Sequence, residues 1–181
     1  MASTFTRLEI TLRRIRDNPT VSSRLAVAAE IRGCHLQDFR VKKNGNSDDD
    51  FMSVASIDRL VGLLKDLELV TITTDGNVII TEGGAQALNP GSAFSNKISS
   101  ATKSLLRRRG VPLTAINAAI KRIGDPDTPN APTIYRELNE NGAENAVNIR
   151  QSEFTRLMFL LASAGGITRK LSVHYTLSSR R

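Results

Sequence analysis

Two histidines, one cysteine and eighteen Asp/Glu are the side chains of this 181-residue chain that could carry acid–base, nucleophilic or metal chemistry. Their spacing builds none of the sites those chemistries need. Cys34-His35 supplies half a zinc ligand set, and no second Cys/His pair completes it. Asp48-Asp49-Asp50 lacks the alternating ligands and terminal Glu of a calcium loop and reads as a solvated turn. No Gly-Lys-Ser/Thr follows Gly83-Gly84, so that pair is not a phosphate loop. His174 falls in a strand-like segment. A metal-dependent nuclease would place several acids beside a basic groove, yet residues 90–181 hold only six Asp/Glu. The expectation is a protein that is not an enzyme, with no metal and no cofactor.

Cations remain as the chemical resource. The net charge of +7 is unevenly placed. Residues 1–89 carry 11 Lys/Arg against 12 Asp/Glu, whereas residues 90–181 carry 14 against 6. A half with a charge of +8 suits a polyanionic partner. Arg107-Arg108-Arg109 ends a helical stretch, where cations are favoured by the helix dipole and also suit phosphate.

The elements that must position these groups follow from periodicity. Phe5, Leu8, Leu12 and Ile15 share one face of a first helix from Thr4 to about Asp17, with Arg7, Arg13, Arg14 and Arg16 elsewhere on it. Ser22 or Ser23 caps a second helix with Leu25, Ala28, Ala29 and Ile31 inward, and Gly33 is placed to end it in a left-handed cap. A short strand over His35–Val41 and a polar loop, KKNGNSDDD, lead to a third helix opened by Ser53. Its buried stripe is Ile57, Leu60, Val61, Leu64 and Leu67. Strands over Leu69–Thr73 and Val78–Thr81 flank Asp75-Gly76, a turn expected to need positive φ at both positions. TEGGAQALN closes this half as a short helix.

NPGSAFSN, at 89–96, is the candidate boundary, followed by a linking helix from Lys97 to Arg109. Helices over Leu113–Ile123 and Thr133–Asn139 come next, separated by the rigid DPDTPNAP. A small strand is expected at Ala146–Ile149, then a helix capped by Ser152 and ended by Gly165-Gly166, a hairpin over Ile167–Leu177 and a basic tail, Ser178–Arg181. No stretch nears the roughly 20 apolar residues that cross a bilayer. The N-terminus lacks an apolar signal core, and Cys34 has no disulfide partner in the chain. These features predict a cytoplasmic protein with no membrane partner.

Residues 57–81 match residues 154–178 at a constant offset of 97, without a gap. Arg59/Arg156, Leu60/Leu157, Leu63/Leu160, Leu64/Leu161 and Thr71/Thr168 are identical. Ile57/Phe154, Val61/Met158, Val70/Ile167 and Ile80/Leu177 are conservative. Each copy reads as an amphipathic helix running into a hairpin, which implies one small module used twice. The fold expected is mainly α with small β-hairpins (α+β), in domains 1–89 and 113–181 joined by a linker helix over 90–112.

Residues 53–88 resemble the end of a MarR-type winged helix-turn-helix domain: third helix Ile57–Leu67, strand Leu69–Thr73, turn Asp75-Gly76, strand Val78–Thr81 and the TEGG-like start of Glu82–Leu88. The second half is similar in layout, and APTIYRELNENG resembles the helical segments of many helix-turn-helix repressors. The resemblance implies tandem winged helices and a third helix that enters the major groove of double-stranded DNA. In the second copy it implies that Arg150, Gln151, Ser152, Thr155 and Arg156 reach base edges. Arg169 and Lys170 in the wing then meet phosphates, with Arg107, Arg108 and Arg109 beside them. Tyr135 either contacts DNA or packs under its own helix. The first copy departs from this pattern. Its wing, TTDGN, has no cation, and its third helix carries Asp58, Asp66 and Glu68 beside Arg59 and Lys65. It is assigned to protein contact or homodimerisation, with the basic face of the first helix as a possible backbone contact.

The function expected is a transcriptional regulator, or the DNA-recognising subunit of a larger assembly such as one in genome defence or plasmid maintenance. Two alternatives stand beside it. One is a structural adaptor of the tandem winged-helix type that binds kleisins in chromosome-organising complexes. The other is a plasmid or phage replication initiator.

Overall fold

The computed structural model describes residues 4–18, 23–41, 50–90, 94–124, 129–141, 147–165, 168–170 and 174–176. Among them the chain is an α-rich α+β protein, with eight helices and three two-stranded antiparallel sheets. It separates into two compact units, Met1–Phe94 and Ser95–Arg181. Most of the 42–50 loop, part of DPDTPNAP, Ala146, Gly166, Ile167 and the basic tail lie outside the described residues.

In the first unit α1 spans Thr4–Asp17, α2 Arg24–Cys34 and α3 Val54–Asp66. Strands β1 (Arg40–Val41) and β2 (Asp50–Phe51) pair ahead of α3. Strands β3 (Val70–Ile72) and β4 (Val78–Ile80) pair after it, with Val70 opposite Ile80 and Ile72 opposite Val78. Helix α4, Glu82–Ala87, follows with Thr81 as its N-cap. The expected stripe of α3 is buried throughout: Ile57, Val61 and Leu64 are wholly inaccessible and pack with Leu8 and Leu12 of α1 and Ile31 of α2 in the core. Ser53 caps the helix by accepting from the Ser56 N–H. Gly84 is required by packing, because a Cβ there would lie 2.1 Å from the Leu69 carbonyl oxygen.

Three expectations for this unit are corrected. Leu25 and Ala29, both expected inward, are exposed on α2, whose buried face is Val27, Ala28 and Ile31. Two residues turn a helix through about 200°, so Leu25 lies opposite Val27. Gly33 is helical rather than a left-handed cap. The helix ends when the His35 N–H reaches the Ile31 carbonyl, and a 3-10 turn over Leu36–Phe39 continues the chain at ordinary φ ahead of the short β1. In the hairpin only Gly76 has positive φ, at +83°. The Gly76 N–H donates to the Thr73 carbonyl and the Thr73 N–H to the Asn77 carbonyl, so the loop is a turn followed by a left-handed glycine.

In the second unit α5 spans Phe94–Arg108, α6 Leu113–Ile123, α7 Ala131–Asn141 and α8 Gln151–Ser163. Strands β5 (Thr168–Lys170) and β6 (His174–Thr176) form the last hairpin, with Arg169 opposite Tyr175. Helix α5 is more than a linker, since Ile98, Thr102, Leu105 and Leu106 are core residues. Helix α7 starts two residues before the expected Thr133, because Asn130 Oδ1 accepts from the Thr133 N–H as a cap. No strand forms at 147–149.

The repeat is visible in three dimensions. Helices α3 and α8 each have 13 residues at the offset of 97. Every apolar pair from Ile57/Phe154 to Leu64/Leu161 is buried in both copies. Both helices also end on a left-handed residue at the same repeat position, Glu68 at φ +61° and Gly165 at φ +72°. In the first copy the Glu68 N–H bonds the Lys65 carbonyl and the Leu69 N–H the Leu64 carbonyl, which together satisfy the carbonyls left open at the helix end.

Candidate nucleic-acid interface

Helix α8 forms because Phe154, Leu157, Met158, Leu160 and Leu161 make one continuous apolar face. The opposite side of its first half is polar. Gln151, Ser152 and Arg156 are exposed there, preceded by exposed Arg150, while Thr155 is half-buried. The Thr155 hydroxyl donates to the Gln151 carbonyl at 2.8 Å and so is turned along the helix. The N-cap is Arg150, not Ser152. Its carbonyl accepts the Phe154 N–H, which starts the helix two residues earlier than expected, and no side chain caps it.

Tyr135 of α7 fixes where α8 begins. Its hydroxyl donates to the Ile149 carbonyl at 2.8 Å, and its ring lies 5.6 Å from that of buried Phe154. Of the two roles weighed for this residue, packing is the one with contacts. Next to it, Pro132, Tyr135, Arg136, Asn139 and Glu140 of α7 face Gln151 across a cleft of about 310 Å³. Arg136 is therefore a cation at this site that the sequence reading passed over. Its position, one residue after Tyr135 in TIYRELN, was the available signal.

The end of α5 reaches the same place. Arg109 Nη2 lies 3.6 Å from Glu153 Oε1, in the first turn of α8. Arg107 and Arg108, both exposed, occupy the last turn of α5. Of the ten site residues expected from sequence, Arg109 is thus tied directly to the start of α8, where Arg150, Gln151, Ser152, Thr155 and Arg156 stand. Arg107 and Arg108 come with it along the chain. The side chains of Arg169 and Lys170 lie outside the described residues; their backbone forms β5. Behind the site, Arg122 of α6 clamps Glu137 of α7 at 2.6 Å. That hydrogen bond, with one from Asn141, holds the Glu137 carboxyl below its ordinary value.

On the corresponding helix of the first unit Asp58 is neutralised, while Arg59, the repeat equivalent of Arg156, is exposed. Arg24 of α2 forks onto Asp58 of α3 at 2.8 and 2.6 Å and also reaches the Asp58 carbonyl at 3.2 Å. The absence of a side chain at Gly62 makes room, since a Cβ there would sit 3.2 Å from the guanidinium. The arginines of α1 are likewise occupied. Arg7 turns inward to the carbonyls of Asp38 and Arg40, where burial lowers its pKa. Arg13 pairs with Glu9, Arg14 with Glu30, and Arg16 with Asp17, whose carboxyl is lowered by that hydrogen bond.

Among the described residues no helix is long and apolar enough to cross a membrane, and no group of three or more His, Cys, Asp and Glu could hold a metal ion. No family model, curated protein or solved structure matches the chain.

Proposed function

We propose that this chain is a non-enzymatic DNA-binding protein made of two winged-helix modules, the second of which engages double-stranded DNA. The observation that carries the proposal is the contact of Arg109 with Glu153, which gathers the cationic end of α5 beside the polar, uncapped start of α8. An α-helix with Arg and Gln near its N-terminus suits the major groove, where Arg pairs with guanine and Gln with adenine. Arginines around it suit phosphate and fix the register of docking. The order of three helices and a hairpin in each unit, with matched termini on α3 and α8, supports the winged-helix assignment. The biological role is that of a transcriptional regulator or of a DNA-recognition subunit. Selection of bound fragments from random duplex DNA, followed by Arg156→Ala, tests the proposal. A loss of about 1–3 kcal/mol confined to one base position marks a base reader. Failure of the protein to retain any duplex at low salt would sink it.

A protein-adaptor role is the second reading, and one observation favours it. Leu25 is 61% and Ile79 47% exposed in the first unit, whose charges are largely paired among themselves. Capture of one stoichiometric partner from native lysate, with no DNA retained after nuclease treatment, would support this role over the first.

A further inference from the structure

The carboxylate of Glu153 stands in the first turn of α8 beside Arg109, and that partner explains what it can do there. We infer that Glu153 is a specificity-determining residue: it holds Arg109 away from phosphate until its own oxygens accept an amino group on a base edge. This rests on the DNA-binding proposal above.

Two ion pairs, each joining the start of an equivalent helix to a preceding one, differ in how firmly they are made. In the first unit Arg24 grips Asp58 through two nitrogens at 2.6–2.8 Å, and a backbone carbonyl adds a third contact. That pair is locked. In the second unit Arg109 and Glu153 meet through one nitrogen at 3.6 Å, beyond hydrogen-bond length. The repeat position of Asp58 is taken by Thr155, whose hydroxyl is spent on its own helix. The guanidinium is 40% and the carboxylate 24% exposed, so solvent and a ligand both reach the pair. Such a pair is weak and opens at little cost.

Glu153 is the third residue of α8, two after Gln151 and three before Arg156, on the turn that would meet bases. An ionised carboxylate only accepts hydrogen bonds. In the major groove the donors available are the cytosine N4 and adenine N6 amino groups. On a sequence that offers neither, Glu153 stays with Arg109 and its charge opposes the backbone. On a sequence that offers one, Glu153 turns to the base and Arg109 is released to a phosphate. One contact thereby makes the other conditional.

The test uses the full chain, a duplex chosen by selection from random sequence, and a scrambled duplex of equal length, each titrated by fluorescence anisotropy across a salt series. Glu153→Gln removes the charge at nearly constant shape. It is expected to bind scrambled duplex about fivefold more tightly, with a salt slope steeper by about 0.9 because one more phosphate is neutralised. Repeating the selection with Glu153→Gln is expected to relax one position that carried cytosine or adenine in the wild-type site. Arg109→Ala is expected to weaken the selected duplex about tenfold and the scrambled one only about twofold, because the selected site loses a phosphate contact and the scrambled one only the neutralisation of Glu153; circular dichroism checks that both variants fold. If wild type binds duplex but Glu153→Gln changes neither the scrambled affinity nor the preferred sequence, the inference is overturned while DNA binding stands. An equal effect of Arg109→Ala on both duplexes also overturns it. If wild type binds neither duplex, the DNA-binding proposal itself has failed and the inference with it.

Discussion

Replacing Arg150 and Arg156 together by Ala changes the salt dependence of DNA binding by an amount that follows from the structure. Three exposed arginines, Arg107, Arg150 and Arg156, present charge at the start of α8 and the end of α5. Arg109 is held by Glu153 and is not counted for non-specific duplex. Each phosphate neutralised contributes about 0.9 to the slope of log affinity against log salt, so these three give a slope near −2.7. Between 50 and 200 mM salt that is a loss of roughly 40-fold. With two arginines removed the slope shrinks to about −0.9 and the loss to about 3.5-fold over the same range. Anisotropy titrations of a labelled random-sequence duplex at five salt concentrations measure both. The matched control is Arg13→Ala with Arg16→Ala, two α1 cations already paired with Glu9 and Asp17. A slope change below about 0.5 for the α8 pair, or an equal change for the α1 pair, would refute the placement of the interface.

Other substitutions test the scaffold. Leu64→Ala and Leu161→Ala, at wholly buried equivalent positions, each lower the unfolding free energy by about 2–5 kcal/mol in urea titrations; a cost under about 1 for either contradicts its place in a core. Glu68→Gly, at φ +61°, raises stability by about 0.5–1 kcal/mol, because glycine takes the left-handed conformation without a Cβ clash. A melting temperature lowered by that change would disprove the strain. The depressed Glu137 carboxyl stabilises the folded state fully above its ordinary pKa of 4.5, and that contribution is lost as pH falls through the lower native value. Arg122→Ala therefore weakens stability at pH 7 and flattens its dependence on acid between about pH 5 and 3. An unchanged pH profile rules the clamp out.

The sequence carried the helices well where an apolar stripe was long. Helices α3 and α8 were expected from Ile57–Leu67 and from Phe154–Leu161, and both bury those residues. It also carried the bounds of α3, which Ser53 caps as expected, but not the start of α8. The start of α8 depends on Tyr135 holding the Ile149 carbonyl, a contact between residues 14 apart that no local cap signal reports. Ser152 looked like the cap only because its side-chain chemistry suits one. Leu25 failed for a different reason. Five apolar residues, Leu25 to Ala29, precede Ile31 in an unbroken run, and only packing against α3 decides that Val27 and Ala28 go inward. At the candidate site the cations could be named from composition and resemblance. The Arg109–Glu153 contact, the Arg136 cleft and the locking of Asp58 by Arg24 all join separate helices, so no single segment encodes them.

Backbone amide chemical shifts of the isotope-labelled full chain, recorded while a random-sequence duplex is added at low salt, give the most direct test. Shifts are predicted to concentrate at residues 107–109 and 150–156, with Arg13, Arg16 and Arg59 of the first unit unmoved. Shifts centred on α1 and α3 instead, or none at saturating duplex, would contradict the assignment of DNA contact to the second module.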